Sequence, residues 1–298
     1  GLAPPSWRHF YLRRFWKIAP SYLLSIAVAY GIGYAARQGG AGAGIDLLTH
    51  LLFIHTWFPQ SAGAINGVLW TLAVEVEFYA LFPLLWWCFR RSRRLTALGM
   101  IAAAMLWRLY AVACCTHTSI VVLDQDLPAY LDCFAFGMLA ASLFVELHRH
   151  WSERRRFTFG VSSFAIGIIL CTGLLESLYG FRNTNQWAAV WAAPHRELLA
   201  LGFALVALGA LLSPRPVQRI LANPLLIFFG AISYSLYLYH QIVARELLWH
   251  HLPAYSGTPQ FDASWQVGYT ILAALISIAI ATLLTYCFER PIQRWGNR

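Results

Sequence analysis

Two carboxylates, Glu75 and Glu77, sit in the stretch Asn66 to Phe82, NGVLWTLAVEVEFYALF, which is otherwise largely apolar. Apolar residues continue to Phe89 and stop at the basic block Arg90-Arg91-Ser92-Arg93-Arg94. About 20 apolar residues span a bilayer as a helix, so this reads as a membrane span that carries acids. An ionised side chain at that depth costs about 3 kcal/mol or more, so it belongs against a protein interior or a wet cavity. At about 3.6 residues per turn, Glu75 shares a face with Thr71, Phe78, Tyr79 and Phe82, while Glu77 points about 200° away, among Ala73, Val74 and Leu81. Its polar and aromatic company makes Glu75 the candidate catalytic carboxylate. Two readings stand for it: an acid lining a reaction or transport cavity, which the company favours, and a packing strut bonded to a neighbouring helix.

A second polar set occupies GAISYSLYLYHQ, residues 230–241, where Ser233, Tyr237 and His240 are spaced by four and three and form a stripe on one helix face. A histidine in a membrane span can carry a proton near neutral pH or serve as a strut between helices, and the stripe tilts the balance toward function. His50 and His55 flank a short apolar piece, and His250 and His251 lie in a loop. None has the acid or cysteine companions of a metal site in sequence, so no metal is expected. The six cysteines, Cys88, Cys114, Cys115, Cys133, Cys171 and Cys287, lie in or beside apolar runs without zinc-finger spacing and read as fillers.

The elements that must position these groups are membrane helices. The chain of 298 residues is 59% hydrophobic and 12% charged, with a mean hydropathy of +0.55; an average soluble domain has about 25% charged residues. Long apolar spans are expected at 18–36, 68–89, 95–115, 128–147, 157–178, 197–213, 224–248 and 266–288. Residues 47–58 are too short to cross and follow the flexible run at 39–44, so they read as a re-entrant or interfacial helix. Pro20 falls in the first turn of the first span, where its missing N–H does little harm. The net charge of +9 comes as short blocks between spans, which is loop charge that sets orientation and not a nucleic-acid surface. With the N-terminal cluster in the cytoplasm, only Arg37, Arg182 and Arg196 remain among the outer loops. Both termini are then cytoplasmic. The expected fold is an all-α polytopic helical bundle of about eight spans, forming one transmembrane domain over 1–298 without a soluble second domain.

The segments RRFWKIAPSY (13–22), NGVLWTLAVEVEFYALFP (66–83), LDCFAFGMLAA (131–141), GAISYSLYLYH (230–240) and FERP (288–291), in that order, resemble the membrane acyltransferase-3 family. Its members include bacterial O-acetyltransferases that modify lipopolysaccharide O-antigen, exopolysaccharides, nodulation factors and some antibiotics. The resemblance runs from about residue 10 to 292. It implies transfer of an acyl group, usually acetyl, from cytoplasmic acyl-CoA to a hydroxyl of a carbohydrate or glycolipid at the cell envelope. The setting it implies is the bacterial inner membrane.

On this resemblance the family's basic pair falls on Arg14 and Lys17, which would hold the CoA phosphates; positive-inside anchoring explains them equally well. Lys17 stands where arginine is usual and lacks the planar two-pronged donor. Glu75 matches the family's carboxylate and His240 its histidine, with Asn66, Trp70, Tyr79, Ser233 and Tyr237 lining the cavity. The family usually begins with two further spans carrying an arginine and, about ten residues on, the histidine base. The expectation is therefore a parent of about ten spans and a chain that by itself has little activity. A separate periplasmic partner would be needed for any acyl relay. The competing classes are a proton-coupled or glycan transporter, which has no use for acyl-CoA, and a non-catalytic scaffold.

Overall fold

The computed structural model describes residues 6–34, 41–114, 123–181, 187–255 and 262–296, and every regular element among them is helical. The helices are α1 (Trp7–Gly31), α2 (Ala41–Leu51), α3 (Trp70–Arg91), α4 (Arg93–Cys114), α5 (Leu131–His150), α6 (Glu153–Phe181), α7 (Trp187–Leu212), α8 (Arg215–Leu221), α9 (Pro224–Trp249), α10 (Ala263–Leu284) and α11 (Arg290–Gly296). Short 3-10 turns precede α3 and α5, at His55–Trp57 and Leu127–Tyr130, and a π-turn, Thr285–Glu289, joins α10 to α11. Among the described residues, seven helical stretches are long and apolar enough to cross a membrane: those built on α3, α4, α5, α6, α7, α9 and α10. The protein is a multi-pass, all-α membrane protein.

The first expected span, 18–36, is not one of the seven, because Arg8, Arg13, Arg14 and Lys17 occupy the first half of the same continuous helix. That helix already runs at Trp7, so Pro20 stands in its interior and not in its first turn. An interior proline removes one rung of the ladder, which membrane helices tolerate. α1 closes at Ile32, followed by Gly33 at φ 93°, the left-handed position glycine takes after a helix end. Residues 35 and 36 of that span, residue 115 of the third, Arg37 and Arg182 lie outside the described residues. The run expected to be flexible at 39–44 is helical from residue 41, as the first turn of α2. The short apolar piece is thus the end of an 11-residue helix followed by a 3-10 turn.

The helices group into two compact units, Gly1–Ala73 with Pro224–Arg298, and Val74–Asn223. In the first, α9 packs on α10, and α1 packs on α9 and α11. Tyr22 within α1 and Tyr34 just past its end fasten α2: the Tyr22 hydroxyl donates to the His50 carbonyl at 2.8 Å and the Tyr34 hydroxyl to the Asp46 carboxylate at 2.7 Å. Between them the Tyr30 hydroxyl donates to the Ala43 carbonyl. At the other end of α1 the Trp16 and Trp295 rings meet edge to face, with centroids 5.2 Å apart.

In the second unit α4, α5 and α7 pack on one another, and α6 lies along α7. The α6–α7 contact is built on small residues. Gly160, Ser163, Gly167 and Cys171 are buried on α6 at helical spacing. Gly202 and Gly209 face them: a Cβ on Gly209 would lie 2.5 Å from the Phe164 backbone nitrogen and 2.7 Å from the Gly160 carbonyl. Between lipid-embedded helices the attraction is contact and not water exclusion, so removing side chains is what lets the backbones close. Gly209→Leu must push two backbones apart, and we expect it to lower the unfolding midpoint in detergent by an amount corresponding to about 2 kcal/mol or more. An unchanged midpoint would contradict this packing.

Candidate functional site

In the first unit the polar stripe of α9 is present. Ser233, Tyr237 and His240 together line a groove of about 530 Å³ between α9 and α10, with Leu236, Ala274 and Ser277 among its other walls. The His240 ring is exposed, and its Nδ1 lies 2.8 Å from the Tyr237 carbonyl and 3.2 Å from that of Leu236. A carbonyl only accepts, so Nδ1 carries the hydrogen and Nε2 of the neutral ring keeps its lone pair. The Tyr237 hydroxyl lies 2.8 Å from the Thr71 hydroxyl and donates to the Val68 carbonyl at 3.1 Å. The buried Asn66 amide donates to the Leu238 carbonyl at 2.7 Å, and Arg245 to the Ile65 carbonyl at 3.2 Å. The irregular stretch leading into α3 is thereby clamped along α9. A Cβ on Gly67 would sit 2.7 Å from the Gln241 side chain, so this approach is close. Trp70 opens α3 and is half-buried.

The far side of α9 holds a residue that the sequence patterns did not single out. Ser235 donates to the Glu289 carboxylate at 2.7 Å, and Glu289 is buried in the π-turn. Single π-turns inside helices are rare and gather at functional positions. Arg14 and Lys17 lie three residues apart in the basic half of α1; Lys17 is exposed, and the half-buried Arg14 guanidinium sits 5.5 Å from the Phe10 ring centre.

The second unit contains Glu75 and Tyr79, and the Tyr79 hydroxyl donates to the Glu75 carboxylate one turn away, as the shared face requires. Burial does not separate the two acids, since Glu75 and Glu77 are both half-buried. Phe78 is stacked on Phe134, with centroids 3.7 Å apart, which packs that face of α3 on α5.

An ion cluster deeper in this unit escaped the reading of motifs. Arg108 on α4, 2% exposed, donates to Asp132 at 2.8 Å, to Glu197 at 2.6 Å and to the Ala129 carbonyl at 2.7 Å, joining α4, α5 and α7. Beside it Arg196 pairs with Asp124 at 2.6 Å and lies over the Tyr130 ring. Burial raises the Asp124 carboxyl above its ordinary value against the pull of Arg196. The available signal was Arg108 itself, a lone cation in an apolar span that had to have a partner. Removing one member strands the others, so Asp132→Ala should destabilise the protein by about 3–5 kcal/mol, read from its denaturation midpoint, with Asp132→Asn milder.

A second missed group lies in the first unit. His50 and His55, expected to be separate flanking residues without acid companions, are both buried and stack with ring centroids 3.8 Å and planes 7° apart. The His50 Nδ1 is 2.7 Å from the Asp46 carbonyl, and the Asp46 carboxylate is held by Tyr34 and Ser61. The sequence spacing of 46, 50 and 55 hid this, because an irregular turn between α2 and the 3-10 helix brings the second ring back over the first. Among the described residues no group of three His, Cys, Asp or Glu side chains is placed to hold a metal ion. Burial, with the adjacent His50, lowers the His55 pKa from 6.5 to about 3. Between those values the unfolded chain takes up a proton that the folded chain does not. Stability is therefore full above pH 6.5 and falls as the pH drops toward 3. In thermal unfolding between about pH 7 and 5, His55→Phe, which keeps a ring on His50 and removes this titration, should flatten the loss.

With this geometry in place, the chain can be set beside known proteins. It matches the acyltransferase domain family over residues 1–287. It is 22% identical over 332 residues to nose resistant to fluoxetine protein 6 of Caenorhabditis elegans, an alignment covering 97% of this chain and 39% of that protein. It is 21% identical over 244 residues to the putative acetyltransferase ORF330 of Acidianus two-tailed virus, covering 81% of this chain and 66% of that protein. Over 96 residues it is 30% identical to the acyltransferase MdmB of Streptomyces mycarofaciens, covering 26% of this chain and 25% of that protein. The chain thus spans 39% of the nematode protein's length and 66% of the viral protein's. No solved structure matches it. Matched over residues 1–287 of its 298, the chain belongs to the membrane acyltransferase-3 family.

Proposed function

We propose that the protein is a membrane O-acyltransferase that moves an acyl group, acetyl foremost, from cytoplasmic acyl-CoA to a hydroxyl of a cell-envelope or exported carbohydrate. The observation that carries this reading is the family match over residues 1–287; the largely apolar groove onto which Ser233, Tyr237 and His240 all open supports it by bringing three polar side chains to one surface. Arg14 and Lys17 meet the CoA phosphates, since a charged pair on one helix face suits a polyanion. His240 offers Nε2 to a hydroxyl of the acceptor, and Tyr237 and Ser233 order the thioester. Glu75, whose carboxylate the Tyr79 hydroxyl meets, is the candidate catalytic carboxylate of the second unit. Asn66 and Trp70 shape the acceptor's approach. The protein works in the bacterial inner membrane with the basic start of α1 in the cytoplasm. A periplasmic partner carries the acyl group onward where the acceptor is distant.

Binding of acetyl-CoA to the full chain in detergent tests this. Arg14→Ala and Lys17→Ala should each weaken it about tenfold, the loss expected of a charge-assisted contact. Glu75→Gln should keep the binding and depress transfer. A protein that ignores acetyl-CoA, or binds it equally well without Arg14 and Lys17, would instead fit a transporter or a scaffold.

A further inference from the structure

The basic block that ends α3 and begins α4 stands beside an opening in the second unit that the reaction described above does not use. A groove of about 480 Å³ runs between α5 and α7, with the start of α4 at one end. Sites that hold small ligands have volumes of about 300–1,000 Å³. Phe136 and Leu143 of α5 and Leu201 and Leu208 of α7 are among its walls. So are Ala140 and Ala204, whose short side chains leave the space. Leu208 is buried in a cluster with Leu147 and Leu212, on which Phe144 and Phe159 pack, so this wall is fixed from behind.

The groove has the length of a lipid chain. From Phe136 to Glu146, both of which line it, α5 advances about 15 Å at about 1.5 Å per residue. The hydrocarbon core of a bilayer is about 30 Å thick, so about 15 Å is the depth of one leaflet. The helices that form the groove are all among those long and apolar enough to cross a membrane. Water finds few partners in a recess with apolar walls, so hydrocarbon is the natural filling.

The open end chooses among lipids. Arg93, Arg94 and Glu146 all line it. Arg93 pairs with Glu146 at 3.3 Å, and their side chains are 58% and 59% exposed. Two arginines and one glutamate leave one net positive charge, carried by the exposed Arg94. Close by in the chain, Arg90 lies over the Trp86 ring and Arg91 ends α3, so the surrounding field is positive as well. A guanidinium meets a phosphate through parallel N–H donors. Basic pockets between membrane helices on the cytoplasmic side take anionic headgroups, and the orientation proposed above puts this end in the cytoplasm.

We propose that this groove binds an anionic phospholipid, with one acyl chain lying between α5 and α7 and the phosphodiester on Arg94. The single net charge of the mouth matches the single negative charge of a phosphatidylglycerol-type headgroup. A zwitterionic lipid brings an ammonium group too, and the carboxylate that would receive it, Glu146, is already held by Arg93. The assignment does not depend on acyl transfer.

Native mass spectrometry of the full chain in mild detergent, titrated with dioleoylphosphatidylglycerol or dioleoylphosphatidylcholine, tests this. The anionic lipid should bind as a saturable equivalent about fivefold more tightly than the zwitterionic one, the worth of one cation at a lipid surface. Arg94→Gln should remove that preference. Glu146→Gln frees Arg93 and should tighten binding of the anionic lipid about fivefold, which a merely structural role for the pair would not do. Ala140→Leu and Ala204→Leu should each exclude the chain and weaken binding about tenfold or more; they lie on different helices, so a variant that fails to fold leaves the other to decide. Equal binding of the two lipids, or an anionic preference that survives Arg94→Gln, would overturn the headgroup assignment. Binding untouched by both alanine substitutions would overturn the chain's place in the groove. Inorganic phosphate that displaces the lipid would make this an ion site, and a dimer lost in both alanine variants would give the groove to a second copy; either would overturn the proposal.

Discussion

Away from water, a buried donor or acceptor has to be met by another side chain or by the backbone, and this decides where the few polar residues of the chain can stand. Arg108 shows the requirement at full strength. A guanidinium 2% exposed is met by two carboxylates and a carbonyl, and satisfying it joins three helices. A pair of this kind adds little net stability over an apolar replacement, but it penalises any packing that leaves one charge alone. It therefore selects one arrangement of α4, α5 and α7 over others that would bury the same apolar area.

The first unit meets the same requirement with neutral groups. α9 is its spine: Tyr234 reaches the Ile18 carbonyl, Ser235 reaches Glu289, Tyr237 reaches Thr71 and Val68, and the Leu238 carbonyl receives Asn66. Successive residues of one helix thus tie α1, the π-turn and the irregular entry to α3. The side of α9 that bears Ser233, Tyr237 and His240 is left to line the groove. Structure and candidate chemistry share a helix because its faces are divided between them.

The two units close their helices by different means. Between α6 and α7, glycines remove side chains so that backbones touch, and the pair has no need of polar contacts at those positions. Around α2, Tyr22 of α1 and Tyr34 just past its end reach across to a carbonyl and a carboxylate, and the polar interior so formed contains the stacked histidines. A glycine seam leaves no room for a ligand, whereas a tyrosine-braced turn encloses polar atoms.

Much of this could be read from residue order. Long apolar runs broken by basic blocks determine an all-helical membrane protein, since an unpaired backbone is excluded from lipid. The 3.6-residue period determines that Glu75 meets Tyr79 and that Ser233, Tyr237 and His240 share a face. What periodicity cannot carry is any contact between elements far apart in sequence or any turn outside a helix. Arg108 finding Asp132 and Glu197, and Ser235 finding Glu289, depend on which helices pack together. The stacking of His55 on His50 runs through a turn containing Phe53 at φ 57°, a left-handed conformation that local propensity argues against. Local order determined the helices and their faces; only tertiary packing decided which buried polar groups were answered and which were left open, because that balance is struck between segments and not within them.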